Sequence, residues 1–272
     1  PVPPLAARPR RYAVTDVERL VTDPYATYAR RVLGLRELAP LGRLPDATDR
    51  GELLHAILER FIRESRVQWS DIDAAARLAA TAEAVLAETV PWPALRRLWL
   101  GRVLRVADWF VAGEKTRRGG AVPLALEVKG CLRLMTPAGE VTLVARADRI
   151  DRSLEGGGIV YDYKAGQPPA APQIARGRHQ QLHLQAAILA AGGFAGTPAL
   201  APERGAFIGL AGSEQAVETP PEAVATHLDR VAVLIARFLE GAPFIARARP
   251  DLAFETGETD HLARRAEWDP TL

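Results

Sequence analysis

The chain has 272 residues, 48% hydrophobic and 25% charged, with a formal net charge of +2 and a pI near 9.0. This is globular composition with enough apolar material for a sizeable core, and no apolar run approaches the roughly 20 residues of a membrane helix. A single cysteine, Cys131, excludes a disulfide framework and a Cys-rich metal site within the chain. The near-balanced charge allows a nucleic-acid partner without demanding one, so any basic surface is local.

No signal-peptide pattern opens the sequence. It starts Pro1-Val2-Pro3-Pro4 without an initiator Met, and the expectation is a fragment of a longer protein. A reducing, cytoplasmic compartment fits the cysteine usage. Lysine occurs only at 115, 129 and 164; the other 32 basic residues are Arg.

In chain order, residues 1–11 read as an unstructured lead-in. Thr15, with Glu18 three residues on, has the pattern of a capping box. TDVERLVTDPYATYARRVLGL then reads as helical, interrupted near Asp23-Pro24. Residues 40–49 are a Pro/Gly/Asp-rich loop, and Asp49 is placed to cap the helix RGELLHAILERFIRE. In that helix Leu54, Ile57, Leu58, Phe61 and Ile62 form one apolar face. Two more amphipathic helices follow, at 71–89 and 94–116. After Gly119-Gly120 the character changes. PLALEVKG, CLRLMT and EVTLVARADRID are strand-like, broken at Pro137-Ala138-Gly139, and LEGGG is a turn before the strand GIVYDYK. Residues 121–164 therefore read as an antiparallel meander. A helix is expected over 172–192, a strand near 204–211, and a long helix through PEAVATHLDRVAVLIARFLEG. The tail, 242–272, is irregular. The order predicts an α/β fold with a central mixed sheet.

The chemistry concentrates at the end of GIVYDYK. Side chains two apart on a strand share a face, so Asp162 and Lys164 stand side by side. If 140–150 and 157–164 pair, Asp148 comes near Asp162. Neighbouring carboxylates repel and raise each other's pKa unless a cation lies between them. Hard oxygen ligands suit Mg²⁺ or Mn²⁺. With a Lys beside them they make a phosphodiester-hydrolysis site.

These residues carry a resemblance. Asp148 and, fourteen residues on, Asp162-x-Lys164 resemble the PD-(D/E)xK nuclease superfamily. RADRIDR…IVYDYKAG resembles the RecB-type "GxxDRID…DYKTG" motif, with Ala147 and Ala165 departing from it. RGELLHAILERF resembles that family's "GxxxHxxLExF" helix through Gly51, His55, Glu59 and Phe61. HQQLHLQAAIL resembles its "QLxLY" helix, with Gln181 matching and Gln185 where Tyr is usual. The four motifs span residues 51–185. The opening helical segment is similar to the start of the C-terminal nuclease domain of AddB, the partner of AddA in bacterial double-strand-break resection. Many AddB proteins carry iron–sulfur cysteines; here Asp23 precedes Pro24 and the tail has no Cys, so no cluster is expected.

The resemblance implies a restriction-endonuclease-like core at 121–211, containing the helix 172–192. A helical part at 1–120 and a C-terminal helix and tail at 212–272 flank it in one nuclease domain. It implies a Mg²⁺-dependent (or Mn²⁺-dependent) deoxyribonuclease acting exonucleolytically on single-stranded DNA, in DNA repair and recombination. The partners implied are DNA and an AddA-like helicase, in a bacterial cytoplasm. Asp148, Asp162, the Tyr163 carbonyl and His55 would hold the metal. Lys164 would position the attacking water, leaving a 5′-phosphate and a 3′-hydroxyl, and Gln181 would hold Lys164, the water or DNA. Arg176, Arg178 and Gln185 are DNA-contact candidates. Asp151 is the alternative to Asp148, but the family register favours Asp148 and leaves Asp151 to pair with Arg149 or Arg152. Glu127 reads as a solvent-facing strand residue. His179 and His183 lack the Glu of a zinc-protease HExxH. Gly156-Gly157-Gly158 is a turn, not a phosphate loop, and no nucleotide site is expected. The alternative from another class is a non-catalytic DNA-binding or docking module.

Overall fold

The computed structural model describes residues 1–36, 38, 45–66, 69–248, 257 and 259–268. Residues 40–44 of the loop expected at 40–49, and 249–256, 258 and 269–272 of the irregular tail, lie outside them. The order is β1 (Arg11–Ala13), α1 (Val14–Thr22), α2 (Pro24–Thr27) with a π-helical turn Tyr28–Val32, then α3 (Ala47–Glu64), α4 (Ala74–Thr89) and α5 (Pro93–Gly120). The meander follows as β2 (Ala121–Thr136), β3 (Gly139–Ser153) and β4 (Gly158–Lys164). After it come α6 (Ala171–Ala175), α7 (Gln181–Ala190), β5 (Pro202–Gly209), β6 (Ser213–Glu218), α8 (Pro221–Leu239) and α9 (Arg265–Trp268).

The six strands form one mixed sheet, with β1/β3 and β4/β5 parallel and the other pairs antiparallel. Helices cover both faces. Leu182 and Ile188 of α7 and Ile235 of α8 pack with Val17 of α1, Leu143 and Phe207 on one side. Ile57 and Phe61 of α3, Leu78 of α4 and Phe110 of α5 pack with Tyr161, Tyr163 and Ile208 on the other. Strand alternation explains the division, since β4 sends Ile159, Tyr161 and Tyr163 to the α3–α5 layer and Val160 to the α7–α8 layer.

Several elements differ from the sequence reading. Arg11–Ala13 is a strand, not part of a lead-in, and β6 adds an edge strand beyond the expected one. Thr15 lies inside α1, and the cap contact is made by Asp16, whose carboxylate accepts from Ala13 N at 2.8 Å. Asp46 rather than Asp49 caps α3. It accepts from Thr48 N (2.7 Å), while Asp49 at the third helical position accepts from Asp46 N (2.8 Å), a reciprocal box. The helix expected over 172–192 is two helices, broken where Gly177 (φ 79°) and His179 (φ 55°) enter the left-handed region. The tail is tied to the front of the chain at Asp23, which accepts from Arg247 N and Thr259 Oγ1, both at 3.4 Å.

Candidate active site

The site grows from the way the sheet forks. β2 runs along one edge of β3 for its whole length. On the other edge β1 pairs with Thr142–Val144 and β4 with Arg149–Arg152, so the edge between them is unpaired. The last β3–β4 pair is Arg149–Tyr161. One step further the register would set Asp148 against Asp162, and there β4 turns fully to β5, pairing Asp162, Tyr163 and Lys164 with Phe207, Ile208 and Gly209. The parting strands leave backbone groups that side chains must satisfy. Asp148 Oδ2 accepts from Tyr163 N at 2.8 Å, and the Tyr163 carbonyl lies 3.1 Å from His55 Nε2 of α3. The Tyr163 peptide thus joins two clusters.

In the first cluster, His55 Nδ1 lies 3.4 Å from Asp148 Oδ1 and 3.5 Å from Glu127 Oε1. Ligand atoms of the three residues all fall within 4.8 Å of one another. Glu127, expected to face solvent, is a correction: it is the second carboxylate of this cluster, beside Asp148. Its neighbours in β2 pair as Leu126–Arg149 and Val128–Ala147, which sets Glu127 opposite Asp148. Like charges directly across a ladder are unfavourable, and Glu127 also holds φ at 49°, a strained value for a residue with a Cβ. Arg146 Nε pairs with its second oxygen at 2.7 Å. Burial disfavours charge on His55, but hydrogen bonds to Asp148 and Glu127, and their charges, push its pKa up to about 10.

In the second cluster, Lys164 Nζ lies 2.6 Å from Asp162 Oδ2 and Gln181 Nε2 donates to Asp162 Oδ1 at 2.5 Å. Asp162 is almost completely buried. Burial, then the charge of Asp148, pushes its pKa up to about 6 against the pull of Lys164. Gln181 stands at the first turn of α7, and the break after α6 aims that turn at the carboxylate. The structure therefore brings together His55, Asp148, Asp162, Tyr163, Lys164 and Gln181, and adds Glu127.

The three DNA-contact candidates lie elsewhere. Gln185 is fully buried and donates to the Arg146 carbonyl at 3.0 Å, so it braces β3 and does not face a substrate. Arg176 is exposed at the end of α6, beside a cavity shared with His227 and Arg230, and Arg178 lies in the turn before α7. Asp151 points away from the cluster, into a wholly buried bidentate pair with Arg149 (2.6 and 2.7 Å). Arg149 also reaches Glu114 of α5 at 2.6 Å. Sequence reasoning missed this Glu114 anchor. The signal for Glu127 was present, as a carboxylate in β2 in register with Asp148.

The donor chemistry fits a divalent cation. The carboxylates of Glu127 and Asp148 and the His55 imidazole offer ligand atoms within 4.8 Å of one another, and Asp162, close enough to feel the charge of Asp148, keeps a raised pKa even with Lys164 beside it. No helix among the described residues is long and apolar enough to cross a membrane.

Comparison with known proteins agrees with this geometry. A family model described as the PD-(D/E)XK nuclease superfamily matches residues 11–255. Uncharacterized proteins of Rickettsia conorii and Rickettsia typhi are each 28% identical over 189 residues, 68% of this chain, and the chain spans less than a quarter of their length (23% and 22%). One component of the ATP-dependent helicase/deoxyribonuclease of Heliobacterium modesticaldum is 31% identical over 183 residues, 58% of this chain and 15% of that protein. The fold is the restriction-endonuclease-like one, a mixed sheet between helical layers, and the chain belongs to the PD-(D/E)XK nuclease superfamily.

Proposed function

We propose that this chain is the nuclease domain of a helicase–nuclease and hydrolyses phosphodiester bonds of single-stranded DNA from an end, during processing of double-strand breaks. The observation that carries the reading is the convergence of His55, Asp148, Asp162 and Lys164 at the fork of β3 and β4. The name of the Heliobacterium relative, part of a helicase/deoxyribonuclease, supports the biological setting and a helicase partner.

In this reading Asp148, Asp162, His55, Glu127 and the Tyr163 carbonyl hold Mg²⁺ or Mn²⁺. When bound, the cation supplies charge neutralisation at the phosphate and lowers the pKa of water. The chain's own groups do the rest. The Lys164 ammonium orients the attacking water and offsets phosphate charge. Gln181 is a positioning residue, whose hydrogen bond fixes the plane of the Asp162 carboxylate. The Tyr163 peptide keeps the clusters in register through its N–H and C=O. Attack in line at phosphorus leaves a 5′-phosphate and a 3′-hydroxyl. The 1–120, 121–211 and 212–272 segments act as one unit, since β1 and β6 lie outside the middle segment yet complete its sheet.

The test is cleavage of end-labelled single-stranded and duplex DNA with Mg²⁺, with Mn²⁺ and with EDTA. Shortening of the single strand only with metal, with products bearing 5′-phosphates, is the expected result. Metal-independent cleavage, or none by this chain even with its helicase partner, would overturn the reading.

A further inference from the structure

Beside the carboxylate cluster, between α3 and α5, lies a cavity of about 330 Å³. It shares a wall with the site. Ala165, which follows Lys164, and Leu54, which precedes His55, both line it, as does Leu210, whose N–H donates to the Lys164 carbonyl at 2.8 Å. The proposed hydrolysis uses none of this space.

The lining has two characters. The walls are apolar, formed by Leu54, Trp99, Val106 and Phe110 among others. The rim carries three arginines, Arg50, Arg102 and Arg105. Among the described residues none of the three pairs with a carboxylate, whereas Arg60 and Arg63 of α3 and Arg117 and Arg118 of α5 all do. The lining among the described residues includes no Ser, Thr, Asn, Gln, Asp or Glu. An apolar recess inside a ring of unneutralised guanidinium groups suits a ligand with a flat apolar part on an anionic chain.

We propose that this cavity takes one unstacked base of the single-stranded substrate next to the scissile phosphate, while Arg50, Arg102 and Arg105 hold the flanking phosphates. The inference rests on the nuclease reading and extends it to the substrate. A duplex cannot offer such a base without unpairing it, so a cavity used in this way favours single strands. Trp99, with one indole N–H, is the one neutral side chain of the lining among the described residues that can hydrogen-bond, too few groups to tell base edges apart, so any base fits.

The experiment measures binding of fluorescent oligonucleotides in EDTA, where metal-dependent cutting cannot occur. Each oligonucleotide lacks one base, at successive positions from the end. One position is expected to weaken binding roughly tenfold on losing its base, whichever base it held. Filling the cavity by Val106→Trp should remove that dependence. The exposed double substitution Arg102→Gln/Arg105→Gln, which leaves the core intact, should make the salt dependence of binding shallower by about 1.4 in log–log slope. A flat scan, an unchanged dependence in the filled variant, or an unchanged salt slope overturns the proposal. If the chain cuts DNA and the scan is flat, the cavity assignment fails and the nuclease stands. If the scan has its sensitive position and no metal supports cutting even with the helicase partner, the nuclease reading fails and the cavity assignment stands.

Discussion

Replacing Arg149 by methionine is expected to destabilise the fold by about 3–5 kcal/mol. The guanidinium is fully buried, 2.6 and 2.7 Å from the two oxygens of Asp151 and 2.6 Å from Glu114. Glu114 would keep two cations, Arg118 at 2.6 Å and Arg117 at 3.2 Å. Asp151 pairs with no other cation among the described residues, so the variant strands a buried carboxylate on β3, three residues past Asp148. At about 2–4 °C per kcal/mol for a domain of this size, Tm should fall by roughly 10 °C. Burial already holds the Asp151 carboxyl above its ordinary value, and loss of Arg149 raises it further. A raised carboxyl pKa costs stability in full above the folded pKa, and the cost shrinks as pH falls through that value towards the unfolded one. Urea denaturation at pH 7.5 and pH 5 should therefore give a smaller deficit at the lower pH. The double variant Arg149→Met/Asp151→Leu should recover most of the loss. A deficit below about 1 kcal/mol at pH 7.5, or one that does not shrink with acidity, would refute the stranded-charge reasoning.

Lys164→Arg should slow DNA cleavage by about 100-fold or more, because a planar guanidinium cannot take the place of the compact ammonium at Asp162; a rate near that of the unaltered chain in single-turnover assays would count against a direct role. Glu127→Gln removes a like charge across from Asp148 but also the pairs with Arg146 and His55, so it should leave stability within about 0.5 kcal/mol while weakening Mn²⁺ binding in calorimetry. Unaltered Mn²⁺ binding would take Glu127 out of the metal set. His183 stacks on His227 with ring centroids 4.0 Å apart, and burial, then His227, pushes its pKa down to about 4. A histidine held neutral contributes stability that is complete above its unfolded pKa of 6.5 and is lost as pH falls towards 4. His183→Gln should flatten chemical-denaturation stability over that window, and an unaltered slope would place the acid sensitivity elsewhere.

The site was legible where residue type and strand period act together. Asp162-x-Lys164 at the end of an apolar strand, and Asp148 before a Gly-rich turn, forced the carboxylates towards each other once β3 and β4 paired. The helices α3, α5 and α8 were legible from their apolar faces, because amphipathic periodicity reports which side meets the sheet. What stayed hidden depends on contacts between distant segments. Three residues at Arg11–Ala13 are too few for alternation to show, and β6 buries only Val217, so it reads as loop. The break at Gly177–His179 rests on positive φ angles that composition alone does not require. Glu127 was misplaced because its exposure was judged from β2 alone, whereas its neighbours come from β3 and α3. The caps at Asp16 and Asp46 were each assigned to a nearby polar residue with the same chemistry, a limit of sequence patterns at helix ends.

The most direct test of the site is Mn²⁺ binding followed by electron paramagnetic resonance, in the unaltered chain and in Asp148→Asn and Asp162→Asn. Saturable binding in the unaltered chain, weakened at least about tenfold in each variant while thermal stability is kept, is the expected result. Equal Mn²⁺ affinity in all three proteins would mean that the carboxylates at the fork of β3 and β4 hold no cation, and the metal-dependent nuclease assignment would fall with them.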